Sequence, residues 1–69
     1  MTLPSEFLTY YMTNQSTLQA TIATQQELLS SALAAKDYDA AITALRAIDD
    51  AKQTQAYLSQ TLVAIAKLP

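Results

Sequence analysis

Apolar side chains recur along the first half of the chain at alternating steps of three and four residues. Because an α-helix turns once in about 3.6 residues, this spacing places the side chains on one side of a helix. The pattern predicts a helix over about residues 4–35, with Pro4 in its first turn. The positions of its predicted buried stripe are Leu8, Tyr11, Gln15, Leu18, Ile22, Gln25, Leu29 and Ala32.

The same spacing predicts a second helix over about residues 38–67. Asp37 precedes this helix and is a favourable N-cap, because its carboxylate can accept hydrogen bonds from backbone N–H groups of the first turn. Asp39 adds negative charge near the positive end of the helix dipole, and Pro69 marks the end of the helix. The predicted stripe consists of Ala41, Ala44, Ile48, Ala51, Gln55, Leu58, Leu62 and Ile65.

The short connection near residues 34–37 determines the fold class. Two helices of about thirty residues that are joined by a turn of a few residues must lie antiparallel. The sequence has no glycine and only two prolines, so the tight turns of a small β-fold lack their usual residues. We therefore predict an all-α, coiled-coil-like antiparallel hairpin that forms a single domain over residues 1–69.

Two glutamines interrupt the apolar stripes at about the same level of the predicted hairpin. Gln15 belongs to the first stripe and Gln55 to the second. A mutual hydrogen bond between their side-chain amides would fix the register of the helices, as buried polar residues do in coiled coils. Alternatively, both amides reach out to water at the edge of the stripe.

The second predicted helix carries more apolar residues than one stripe can hold. A hairpin has a single interface, so each helix can bury one side only. The first helix keeps to this limit apart from Tyr10, whereas residues 57–68 are apolar nearly all round. We therefore expect the second helix to contact another protein surface, since a large apolar patch is seldom left in water. Self-association into a four-helix bundle and docking onto a different protein both satisfy this expectation.

The residue types that catalysis needs are largely missing. The sequence has no histidine and no cysteine, which removes the usual nucleophile–base pairs and the common zinc ligands. Helix capping and solubility account for the acidic residues, and a chain without glycine is not expected to form a phosphate-binding loop. We expect neither an enzyme nor a site for a cofactor or a metal.

Charge and hydropathy argue against nucleic acid and membranes as binding partners. The net charge is −2 and no basic stripe is present, so we expect no binding to nucleic acid or to an anionic membrane surface. No apolar run is long enough to span a bilayer. Residues 1–6 lack the features of a secretory signal, which favours a cytoplasmic location. The expected partner is therefore a protein.

Three features of the chain occur together in one known family. The chain begins with Met1-Thr2, Tyr38 opens the second predicted helix, and residues 56–66 form an alanine- and isoleucine-rich run. In these features, in length and in helical pattern, the chain resembles the YscE-like co-chaperones of type III secretion needle subunits, which are two-helix hairpins. The resemblance covers most of the chain, although no invariant motif carries it. Needle subunits are also short helical hairpins, but their turn usually contains proline, and residues 34–37 have none.

The resemblance implies a specific role in a secretion system associated with virulence. The hairpin would dock beside a tetratricopeptide-like chaperone, and the pair would keep a needle subunit monomeric and soluble in the cytoplasm before export. A self-associating structural subunit, either a four-helix bundle or a needle-like protein, is the alternative, and a homodimer is compatible with both. An amphipathic helix that lies in a groove is a common mode of protein recognition, and aromatic anchors are its usual hot spots. The candidate contact residues are Tyr38, Ile42, Leu45, Tyr57, Val63 and Leu68.

Overall fold

The computed structural model describes residues 5–68, and nearly all of them lie in two α-helices. Helix α1 spans Ser5–Ala34 and helix α2 spans Tyr38–Ala66. The helices pack against each other along their length, and the hairpin measures 53 Å along its long axis. The predicted all-α antiparallel hairpin is confirmed, as is the position of its turn. The predictions for Pro4 and Pro69 fall outside the described residues.

A three-residue connection ends α1 and leads directly into α2. Lys36 has a left-handed backbone, with φ of 57°, and its N–H donates to the carbonyl oxygen of Leu33 over 3.1 Å. The N–H of Asp37 donates to the carbonyl oxygen of Ala32 over 2.8 Å. These two bonds form a Schellman motif, which satisfies carbonyl groups that the end of a helix would otherwise leave unpaired.

Asp37 also caps α2, as its sequence position predicts. Its Oδ1 atom accepts from the backbone N–H of Ala40 over 3.2 Å, and its carbonyl oxygen accepts from the N–H of Ala41 over 3.0 Å. Asp39 lies in the first turn of α2. Asp37 therefore serves the backbone of both helices, which allows the connection to be short without a glycine.

The fully buried part of the interface between the helices consists largely of alanine. Ala44 is only 2% exposed, and two isoleucines, Ile22 and Ile48, pack together with Ala51. Because alanine side chains are single methyl groups, they leave room for two helix backbones to approach closely. Each buried residue of the described chain occupies a predicted stripe position: Ile22, Ala32, Ala41, Ala44, Ile48 and Ala51.

Burial of the interface decreases towards the open end of the hairpin. There the predicted stripe residues are only half-buried, and Leu8 remains 37% exposed. The stripe positions were thus correctly predicted, but the sealed part of the core lies between the middle of the hairpin and its turn. The half-buried stripe residues of the open end are Tyr11, Gln15, Gln55, Leu58, Leu62 and Ile65.

Gln15 and Gln55 lie at the same level of the hairpin, as predicted, but they are bonded differently from either alternative. The Nε2 atom of Gln15 donates to the backbone carbonyl oxygen of Gln55 over 3.2 Å, and to the Oγ atom of Ser59 over 3.4 Å. The Nε2 atom of Gln55 donates to the Oε1 atom of Gln19 over 3.3 Å. The hydroxyl groups of Tyr11 and Ser59 lie 3.4 Å apart. A set of polar contacts therefore runs along one edge of the interface.

Candidate protein-binding surface

The hairpin exposes more large apolar side chains than it buries. Among the large aliphatic residues of the described chain, Ile22 and Ile48 alone are buried. Within residues 5–68, eleven large apolar side chains are more than a third exposed, five on α1, five on α2 and one just beyond α2. These side chains belong to Leu8, Tyr10, Met12, Leu28, Leu33, Tyr38, Ile42, Leu45, Tyr57, Val63 and Leu68.

The expectation that α1 exposes little beyond its stripe is wrong. Met12 is 68% exposed, and Leu28 and Leu33 are each exposed by about half. Leu28 lies in an open groove beside the turn, where α2 contributes only short side chains such as those of Ala40 and Thr43. Short side chains on α2 cannot reach across to cover the edge of α1. The apolar surplus therefore belongs to both helices.

One side of α2 forms a continuous exposed strip, which we call the outer stripe. Its residues follow each other at alternating steps of four and three, so they lie on one side of the helix. All of them are exposed, and Ser59 also contacts α1 at the polar edge of the interface. The outer stripe consists of Tyr38, Ile42, Leu45, Asp49, Lys52, Ala56, Ser59 and Val63.

The structure brings some of the candidate contact residues together and separates others. Tyr38, Ile42 and Leu45 are neighbours at the turn end of the outer stripe, and Val63 lies at its other end. Tyr57 is not on this stripe and lies beside Asp50, Gln53 and Thr54 on another side of α2. Leu68 follows the end of α2, and its N–H donates to the carbonyl oxygen of Ile65 over 3.1 Å.

Exposed apolar residues of α1 extend the surface on the side of the outer stripe. Met12, Gln19, Gln26 and Leu33 are one heptad apart, so they lie on one side of α1. The bond from Gln55 to Gln19 places this side at the same edge of the hairpin as Ser59. Sequence reasoning missed Met12 and Leu33 as candidate contact residues. Their positions next to the predicted stripe were the available signal.

The described residues form neither a metal-binding cluster nor a membrane-spanning helix. Within residues 5–68, no three carboxylates come close enough together to hold a metal ion. The helices in this part of the chain are also not long and apolar enough to cross a membrane. Comparisons with protein-family models, with curated proteins and with solved structures found no match to this chain.

Proposed function

We propose that this protein is a non-enzymatic binding module whose second helix docks onto a protein partner. The observation that carries the proposal is the imbalance between exposed and buried apolar side chains. Tyr57 is 71% exposed and Tyr38 is 62% exposed, whereas the fully buried residues of the described chain are two isoleucines and four alanines. Apolar surface of this extent usually marks an interaction site.

The form of the surface supports recognition by a groove on the partner. Tyr38, Ile42 and Leu45 follow one another at the spacing of successive turns on one side of α2, which is the arrangement that a helix-binding groove reads. Tyrosine is among the residues that most often carry binding energy, because its ring is large and its hydroxyl group can keep a polar partner. The exposed side of α2 thus has both the geometry and the residue types of an interface.

We propose further that the partner is a tetratricopeptide-like chaperone of a type III secretion needle subunit. In this role the hairpin and the chaperone together keep the needle subunit monomeric and soluble in the cytoplasm before export. The resemblance to YscE-like co-chaperones supports this choice of partner, and so does the two-helix hairpin form. Helical repeats offer concave grooves in which a single long helix can lie.

The test is to purify an affinity-tagged copy from its native cells after cross-linking and to identify the bound proteins by mass spectrometry. The expected result is a helical-repeat chaperone together with a short helical needle subunit. Purified components should then form a ternary complex, and the needle subunit should stay monomeric in it by light scattering. Polymerisation of the needle subunit in the presence of both other proteins would overturn the co-chaperone role.

Two surface variants test the docking surface within that complex. Tyr57→Asp and Val63→Asp should each abolish binding while circular dichroism shows an unchanged helix content, because both side chains are exposed in the free hairpin. Thr24→Asp is the matched control, since Thr24 is an exposed polar residue on the side of α1 opposite its buried stripe. If all three variants bind equally well, the second helix is not part of the interface and the proposal is wrong.

Circular dichroism of the isolated chain distinguishes this proposal from another function, that of an inhibitor or regulator that folds on its target. A regulator that folds only on its target shows little helix when it is alone. A preformed binding module shows the helix content of the hairpin, which has 30 residues in α1 and 29 in α2.

A further inference from the structure

The charged residues of α2 are distributed unevenly around the helix. The outer stripe has one acidic residue, Asp49, and one basic residue, Lys52, and its other members are uncharged. These two residues are three positions apart and stand at the middle of the stripe. Apolar residues lie towards both of its ends, with Tyr38, Ile42 and Leu45 before the charges and Val63 after them.

This arrangement is self-complementary when the stripe meets an antiparallel copy of itself. With the two-fold axis between Asp49 and Lys52, each Asp49 faces Lys52 of the other copy, so two ion pairs form. Leu45 then faces the small side chain of Ala56, Tyr38 faces Val63, and Ile42 faces Ser59, whose hydroxyl group also contacts Gln15 of its own chain. A two-fold interface brings the same patch of both subunits together, which requires this kind of pattern.

We infer that the outer stripe is a dimerisation surface, on which a second copy of this chain packs antiparallel and is held in register by reciprocal Asp49–Lys52 ion pairs. Met12 and Leu33 lie on the same edge of the hairpin and widen the apolar contact. The resulting assembly is a four-helix bundle with the two α2 helices side by side.

The contacts within one chain do not account for this pattern. Asp49 already accepts a hydrogen bond from Gln53 over 3.0 Å, and this bond is exposed to solvent. An Asp–Lys pair three residues apart on one helix adds only a few tenths of a kcal/mol to helix stability. Such a pair also needs no apolar neighbours at the ends of the stripe. A second copy of the chain accounts for the central position of the two charges and for the apolar residues on either side of them.

The dimer covers four of the six candidate contact residues, namely Tyr38, Ile42, Leu45 and Val63. Binding to a second copy and binding to a different partner through this stripe therefore exclude each other. The inference does not require the proposed function. The two share the apolar residues of the outer stripe, but the Asp49–Lys52 pairing that specifies a second copy has no part in that proposal. Each can fail while the other holds.

Sedimentation equilibrium of the purified chain, from low to high micromolar concentration, tests the inference. We expect a monomer–dimer equilibrium. The dimerisation affinity should fall at high salt, because the ion pairs lie near solvent and are screened. Lys52→Asp places four carboxylates around the axis and should weaken dimerisation at least about tenfold. The double variant Asp49→Lys with Lys52→Asp restores both ion pairs and should recover most of the affinity.

Arg46→Asp is the matched control, because it makes the same change of charge at an exposed position of α2 off the outer stripe. It should leave the dimer within about threefold of the wild type, since exposed charges at a distance are largely screened. A chain that stays monomeric throughout, equal loss in the Arg46 and Lys52 variants, or no recovery in the double variant would each overturn the inference. Circular dichroism confirms that every variant is folded.

Disulfide trapping tests the antiparallel register directly, because the natural sequence has no cysteine. An equal mixture of Leu45→Cys and Ala56→Cys chains should form the mixed disulfide in preference to either symmetric one. A disulfide requires Cα atoms within about 7 Å, so the trapped pair reports which residues face each other. A preference for the symmetric disulfide between two Leu45→Cys chains would show a different arrangement and would overturn this register.

Discussion

The side-chain amide nitrogen of Gln15 lies 3.2 Å from the backbone carbonyl oxygen of Gln55, on the facing helix. Gln55 in turn donates to the side chain of Gln19, and Ser59 receives a second contact from Gln15. A bond to a backbone atom requires only one long side chain to be held in place, which lowers its entropic cost. These contacts form together in one register of the two helices, so they specify the level at which α1 and α2 pair.

Replacing Gln15 with alanine should lower the free energy of unfolding by about 1 kcal/mol, the usual net value of one hydrogen bond with some loss of packing. Urea denaturation in dilute solution, followed by circular dichroism, measures the change. Gln26→Ala is the control, because Gln26 is an exposed glutamine of the same helix. If both variants have the stability of the wild type, the bonds between the helices do not contribute to it.

Replacing Lys36 with glycine should stabilise the hairpin by about 1 kcal/mol, since the left-handed conformation strains a residue with a Cβ atom. The midpoint of thermal unfolding should rise accordingly. Ala35→Gly should instead destabilise the protein, because Lys36 is the one residue with positive φ in the described part of the chain. Equal effects of the two substitutions would contradict this account of the turn.

Removing the carboxylate of Asp37 by substitution with alanine should cost about 1 kcal/mol, because the N–H of Ala40 loses its acceptor. Asp37→Asn should retain most of the stability, since an asparagine side chain caps a helix comparably well. The loss can be followed by hydrogen exchange at the first amides of α2. Similar exchange rates in the alanine and asparagine variants would mean that the cap is not what protects these amides.

Two isoleucines of α2 should respond very differently to truncation. Ile48 is 8% exposed within the core and Ile42 is 46% exposed on the outer stripe. Ile48→Ala should cost about 2–3 kcal/mol, because it removes buried methyl groups and leaves a cavity. Ile42→Ala should change stability by less than about 1 kcal/mol, since its site is partly hydrated already. Chemical denaturation of both variants at one protein concentration provides the comparison.

Comparing the Ile42→Ala and Ile48→Ala variants also distinguishes an effect on binding from an effect on stability. Ile42→Ala should weaken association with a partner, which calorimetry or sedimentation can measure, while it leaves the hairpin folded. If Ile42→Ala unfolds the chain as readily as Ile48→Ala, the outer stripe belongs to the core and not to an interface.

The positions of the buried residues were predictable from the sequence because heptad spacing fixes one side of a helix regardless of what lies opposite. Ile22, Ala44 and Ile48 all occupy predicted positions. The turn was predictable for a local reason, since Asp37 has the chemistry of an N-cap. Helical periodicity and N-capping depend on residues that are close together in the chain. A single sequence is therefore enough to predict the buried side of each helix and the position of the turn.

The exposure of Leu28 and the bonding of Gln15 could not be predicted in the same way. Leu28 is uncovered because α2 has short side chains at that level, and this requires knowing which residues face each other. Gln15 reaches a backbone carbonyl, a group that every residue has and that no sequence pattern marks. The six candidate contact residues remain predictions, although each is exposed as an interface requires.

The decrease in burial from the turn to the open end gives the hairpin a gradient of local stability. Amides near Ala32 and Ala44 should exchange with solvent slowly, whereas those near Tyr11 and Leu62 should exchange through frequent partial opening. The Schellman motif and the Asp37 cap keep the arms joined at the other end, so reclosure is an intramolecular event. A partner that binds at Val63 would therefore encounter a hairpin whose open end already separates transiently. Holding α1 and α2 apart there would cost less free energy than it would near the turn.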